Sequence, residues 1–114
     1  MENSKTKFWH YSQNNSGGYF VVDEKNGVCE EVIIEAKNTT EAWKRLKKIG
    51  SKTEGFFSFC DCCGERWYNF DNEFAGTSEP MIYGVPINQV KKVAYRKNCF
   101  IHYSDGKIKE VVFE

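Results

Sequence analysis

The sequence predicts an α+β domain: a mainly antiparallel sheet of five to seven strands, one helix packed on it, and a Cys-containing, aromatic-rich insertion. Three observations carry this expectation. Short β-branched and aromatic runs, punctuated by Gly, Asn and Asp, recur at both ends of the chain. A single segment, residues 39–49, has apolar residues at helical spacing. Between the two lies a stretch, residues 55–76, that is dense in Phe, Trp and Tyr but follows neither period. At 114 residues the chain fits one domain, expected to span residues 1–114 and to bury roughly two-thirds of its unfolded surface.

The elements follow in order. Phe8 to Tyr11 and Tyr19 to Val22 read as strands, separated by Ser12-Gln13-Asn14-Asn15-Ser16-Gly17-Gly18, a run of turn-forming residues. Asp23 to Gly27 is the next turn, its Asn26-Gly27 pair favouring a tight reversal, and Val28 to Ala36 is a third strand. The first 36 residues therefore predict an antiparallel meander. Asn38 is a good N-cap with Glu41 three residues on, in a variant of the capping box. The helix then runs from about Thr39 to Ile49, with Ala42, Trp43, Leu46 and Ile49 on one face and Gly50 as its stop. Lys44, Arg45, Lys47 and Lys48 occupy the other faces; solvation is their simplest role, an anionic ligand the sharper alternative. The aromatic-rich insertion predicts one strand near Arg66 to Phe70. Val90 to Tyr95, Cys99 to Tyr103 and Lys107 to Phe113 predict a second antiparallel meander, with Asp105-Gly106 a type I′ turn signal.

Charge and cysteine content restrict the function classes. Sixteen Lys and Arg balance sixteen Asp and Glu, so no global cationic field exists to hold a nucleic-acid backbone, and nucleic acid is not an expected partner. No apolar run approaches the ~18 residues of a membrane span. The polar opening Met-Glu-Asn-Ser-Lys-Thr-Lys and the odd count of five Cys point to a reducing cytoplasm without structural disulfides.

Two short motifs could carry chemistry. Cys60-Asp61-Cys62-Cys63-Gly64 contains one CxxC followed by Gly, which is half of a structural zinc site with Cys60 and Cys63 as ligands. The remaining ligands would have to come from Cys62, Cys29, Cys99, His10 or His102; a tight turn with free thiols is the plainer reading, and a redox pair lacks the βαβ context it would need. In the Gln13 to Gly18 loop, Gly17 and Gly18 let the backbone approach a ligand, and successive amides can cradle phosphate. Asn14, Asn15 and Ser16 add neutral donors and acceptors, Trp9, Tyr11 and Tyr19 could stack on a base, and Arg66 could add a charged fork. The loop matches neither a Walker A nor a GxGxxG pattern, and an ordinary hairpin loop explains it equally well. No GxSxG, HExxH or paired His-carboxylate signature is present, so a binding protein is expected rather than an enzyme.

The segment Phe8-Trp9-His10-Tyr11-Ser12-Gln13-Asn14-Asn15-Ser16-Gly17-Gly18-Tyr19-Phe20, with Cys60-Asp61-Cys62-Cys63-Gly64-Glu65-Arg66-Trp67, resembles a family of small uncharacterised proteins of tailed bacteriophages that carry QNNSGG and CxCCGxRW motifs. The two blocks cover about a fifth of the chain. The resemblance implies an accessory protein in the cytoplasm of an infected bacterial host, of the kind that acts against host defence, and it marks Asn14 to Gly18, Cys60, Cys63, Arg66 and Trp67 for testing. The function expected from loop and resemblance together is sequestration of a small nucleotide-like or phosphorylated signal. Trp9, Tyr11, Arg66 and Trp67 would line that pocket, and a homo-oligomer would suit it. The alternative is an inhibitor of a host defence protein acting through the aromatic residues 56–74, with or without zinc.

Overall fold

A computed structural model of the chain describes residues 6–13, 22–53, 59–60, 64–65, 76–82, 85–91 and 97–113, with 59–60 and 64–65 described by their backbone alone. The order of elements is β1 (Lys7–Ser12), β2 (Glu31–Ala36), α1 (Thr39–Gly50), β3 (Phe59–Cys60), β4 (Gly64–Glu65), β5 (Met81–Ile82), β6 (Val85–Pro86), β7 (Asn98–His102) and β8 (Ile108–Val112). The fold is α+β, as the patterning predicts. Its main sheet, however, has four strands in the order β1-β2-β7-β8, fewer than the five to seven expected; β3-β4 and β5-β6 are separate two-residue ladders.

The sheet is mixed. β1 and β2 are antiparallel, with Trp9 opposite Ile34 and Tyr11 opposite Val32. β2 and β7 are parallel, with Ile34 beside His102, and β7 and β8 are antiparallel again. Both predicted meanders are thereby corrected. β1 lies directly against β2 with no strand between them, and residues 14–21 are outside the described residues. β7 takes β2, not a strand at 90–95, as its second neighbour: Val90 and Lys91 are in no strand, and 92–96 are outside the described residues. The physical reason lies in Val32-Ile33-Ile34. All three are fully buried, and a continuous apolar run needs cover on both faces and a partner on both edges, which is the position of an inner strand.

Alternation along the strands separates two cores. Trp9, Tyr11, Val32, Ile34 and Ala36 face the helix and pack on Ala42 and Leu46, with Trp43 and Ile49 at the margin. The Trp9 indole N–H donates to the Ala36 carbonyl at 3.0 Å, and the Tyr11 and Trp43 rings lie 5.9 Å apart. On the opposite face Ile33, Cys99, Ile101 and Phe113 pack under Ile82, with Ile87 and Val90 alongside. The helix thus covers β1 and β2 and leaves the same side of β8 bare.

The helix begins where its cap predicts. Asn38 Oδ1 accepts from the Glu41 N–H at 2.8 Å, and Glu41 Oε1 in turn accepts from the Lys37 N–H at 3.0 Å, one residue before the usual position in a capping box. Gly50 is the last helical residue instead of the stop; Ser51 ends the helix, its N–H donating to the Lys47 carbonyl at 3.0 Å. The Asn26-Gly27 reversal is present, closed by paired hydrogen bonds between Asp23 and Val28, with Gly27 at φ +70°. Asp105-Gly106 also makes a hairpin, but as a three-residue loop closed by Tyr103 and Lys107 with Gly106 at φ +93°, in place of the two-residue type I′ turn expected.

Candidate functional site

Because α1 lies over β1 and β2, a cleft of about 280 Å³ opens beside it on the uncovered helix side of β7 and β8. Three segments supply its walls: the 23–28 turn with Lys25 and Asn26, the second half of α1 and its exit with Arg45, Lys48, Ile49 and Lys52, and the β7–β8 hairpin with Gly106, Lys107 and Ile108. His102, the last residue of β7, forms the floor.

Hydrogen bonds from three side chains, Thr53, His102 and Arg45, fix these segments in place. The Thr53 hydroxyl donates to Asp23 Oδ2 at 2.8 Å, which ties the turn to the exit of the helix. His102 Nε2 donates to the Gly27 carbonyl at 2.8 Å; since a carbonyl only accepts, the proton of the neutral ring is on Nε2. The Arg45 guanidinium donates to the Tyr103 carbonyl at 2.8 Å and also to the Glu35 carbonyl, bridging the ends of β2 and β7. Main-chain carbonyls and the part-buried Asp23 carboxylate therefore fix the walls of the cleft relative to one another.

Its charge is one-sided. Of the ten described residues that line it, Lys25, Arg45, Lys48, Lys52 and Lys107 are cationic, and none of the ten is a carboxylate. The neighbouring acids are engaged elsewhere. Asp23 accepts from Asn26 and Thr53, and these bonds hold its carboxyl below the usual range. Glu35 belongs to the opposite face of the sheet, opposite Phe8, where bonds from the Ser104 N–H and the Thr6 hydroxyl lower its pKa. Asp105 approaches a cleft cation, Lys107, at 3.9 Å, and both side chains are exposed. The C-terminus of α1 points roughly −0.5 charge toward this region, too little to offset five cations. Burial pushes the His102 pKa down, the Gly27 bond opposes that and the Arg45 charge adds to it, so the floor is neutral at pH 7. A second cleft, of about 250 Å³, has Lys91 as the one cation among its described lining residues, which are 87–91 and 111–113.

Of the residues singled out in the sequence, those that the structure describes fall elsewhere. Trp9 and Tyr11 are core residues beneath α1, only 3% and 2% exposed, so they hold the helix and present no open ring face for a base. Gln13, which opens the Gly-rich loop, is buried and donates to the Cys29 carbonyl at 2.9 Å. Asn14, Asn15, Ser16, Gly17 and Gly18 lie outside the described residues, as do Cys63, Arg66 and Trp67. Cys60 is placed by its backbone in a two-residue ladder, paired with Gly64, so that Asp61 to Cys63 connect the two strands. Among the described residues no three metal-ligating side chains converge. Cys99 is buried in β7 and Cys29 is buried just before β2. Burial pushes the Cys29 thiol up to about 12 and raises that of Cys99 as well. His102 is committed to Gly27, and His10 contacts the buried carboxylate of Glu31.

The sequence reading missed Lys25, Asn26, Lys52, His102, Gly106 and Lys107 as a group. One signal was available: Arg45 and Lys48 are three residues apart, which puts them on one helical face, and Lys52 follows four residues on, just past the helix end.

A family model described as Domain of unknown function (DUF7296) matches residues 6–114. The chain belongs to the DUF7296 family. No curated protein and no solved structure shows significant similarity to it. Every residue of the cleft in this DUF7296 domain lies within the matched segment. No helix among the described residues is long and apolar enough to cross a membrane.

Proposed function

We propose that this DUF7296 domain is a non-enzymatic binding protein that sequesters a small phosphorylated ligand. The observation that supports this reading is the gathering of five cations around one cleft, with no carboxylate among its described lining residues. Like charges drawn from three separate segments repel one another, and an anionic guest removes that repulsion. Arg45 brings a guanidinium that two carbonyls already orient, and the lysines bring mobile point charges that adapt to phosphate oxygens. The resemblance of the 8–20 and 60–67 blocks to tailed-phage proteins supports a setting for this activity. There the ligand is a phosphorylated immune signal of the bacterial host, and binding it silences the defence.

Native mass spectrometry of the protein before and after incubation with a nucleotide-rich extract of defence-activated cells tests the reading and counts subunits and bound metal together. The expected result is a gain of ligand mass in the native protein that is absent from a Lys48→Glu/Lys107→Glu variant of unchanged thermal midpoint. Equal gain in that variant, or none in either protein, contradicts the reading. Loss of the gain only in Gly17→Val/Gly18→Val moves the site to the Gly-rich loop. Recovery of a host protein in place of a small molecule favours the inhibitor acting through residues 56–74.

A further inference from the structure

Resting on the phosphate reading of the cleft, we infer that its ligand is a single nucleoside carrying a polyphosphate chain, bound without a metal ion, with the base lying against Ile49 and Ile108. A site for inorganic phosphate or a sugar phosphate has no use for apolar walls, yet these two isoleucines line the same cleft as the five cations. Ile108 is 49% exposed because it pairs with His102 on the helix side of β8, the part of that side which α1 leaves bare. Ile49 packs at the margin of the helix-facing core and turns the remainder of its surface to the cleft. A flat heterocycle placed there removes exposed apolar surface from water, as small-molecule sites do when polar groups fix one end and apolar groups hold the body.

Asn26 adds a hydrogen-bonding edge. Its Nδ2 donates to Asp23 Oδ2 at 2.7 Å, which orients the carboxamide and leaves Oδ1 as an acceptor for a ring amine or imino group. The volume of about 280 Å³ is at the small end for ligand sites, which suits one nucleoside and excludes a dinucleotide. None of the described lining residues is a carboxylate, so these residues offer Mg²⁺ no oxygen ligand of the usual kind, and the lysines and Arg45 take over neutralisation of the phosphates.

Calorimetric titration tests the inference with ADP, GDP, CDP and UDP in turn, beside inorganic pyrophosphate and adenosine, all in the presence of EDTA. The expected result is that at least one nucleoside diphosphate binds tenfold or more tightly than pyrophosphate, that adenosine binds weakly, and that excess Mg²⁺ weakens the nucleotide. Ile108→Thr, which keeps a strand-favouring residue on an exposed edge, should lower nucleotide affinity about fivefold and leave pyrophosphate unchanged, whereas Ile108→Val retains binding. Pyrophosphate binding as tightly as every nucleotide, or nucleotide affinity indifferent to Ile108→Thr, overturns the nucleoside assignment and leaves the phosphate reading standing. Tighter binding on addition of Mg²⁺ overturns the metal-free part. Failure of pyrophosphate and all four nucleotides to bind overturns both.

Discussion

His102 Nε2 and the carbonyl of Gly27 are 2.8 Å apart, joining the end of β7 to a turn 75 residues earlier in the chain. The contact is as close as it is because residue 27 has no side chain. A Cβ there would stand 2.8 Å from His102 Cε1 and 2.9 Å from both His102 Nε2 and Ile108 Cγ2, at a φ of +70° that other residues resist. Gly27→Ala should therefore destabilise the fold by about 2–4 kcal/mol, combining left-handed strain with overpacking. Gly106 also has positive φ, at +93°, but an added Cβ there meets nothing within 4 Å, so Gly106→Ala should cost only the backbone strain, about 1 kcal/mol. Urea denaturation of the two variants checks this; equal losses would contradict the role given to His102 and Ile108 as the crowding atoms.

The same imidazole makes stability depend on pH. Its pKa is depressed in the folded state, chiefly by burial, so below the ordinary value of 6.5 the unfolded chain takes up a proton that the folded chain refuses. The contribution of His102 is thus full above pH 6.5 and is lost as pH falls from there through the folded pKa. NMR titration of the ring should give a midpoint below 6.5 in the free protein, and a bound anion should move it upward. A midpoint at or above 6.5 in the free protein would contradict the burial argument.

At the start of α1, Asn38→Ala removes the acceptor of the Glu41 N–H, bonded at 2.8 Å, and should cost about 1 kcal/mol. Asn38→Asp should retain most of the stability, since its carboxylate accepts the same bond and also favours the positive end of the helix dipole. Thermal unfolding of the two variants distinguishes the cap from a general intolerance of change at this position.

Cys29 and Cys99 should resist alkylation. Both are buried, and burial raises both thiols, that of Cys29 to about 12, so very little thiolate exists at pH 8. Peptide mapping after iodoacetamide treatment should find these two positions labelled only after denaturation. Rapid labelling of either in the native protein would contradict its place in the core.

Local signals made part of this architecture legible. Asn38 and the spacing of Ala42, Leu46 and Ile49 announce the helix, and Asn26-Gly27 and Asp105-Gly106 announce reversals, because each acts within a few residues of itself. The alternation of Phe8, Trp9, His10 and Tyr11 shows that β1 has two unlike faces, but which face receives the helix depends on Ala42 and Leu46, about thirty residues away, so the sequence does not show that Trp9 and Tyr11 are buried beneath it. The parallel pairing of Ile33 with Ile101 has no local signal at all, since about sixty residues of intervening chain carry no record of where β7 will dock. The cleft was hidden for the same reason. Lys25, Lys48 and Lys107 each look like solvated surface in sequence, and only the fold brings them to one opening.

Binding of a polyanion at this opening is open to a single measurement, two-dimensional ¹⁵N NMR of the full chain during titration with inorganic pyrophosphate. Saturable shifts are expected for Asn26, Gly27, Arg45 Nε, Lys52, Gly106 and Lys107, reduced roughly tenfold in affinity by raising the salt by an order of magnitude. Shifts confined to residues 14–18, or no saturable shift in the cleft, would contradict it.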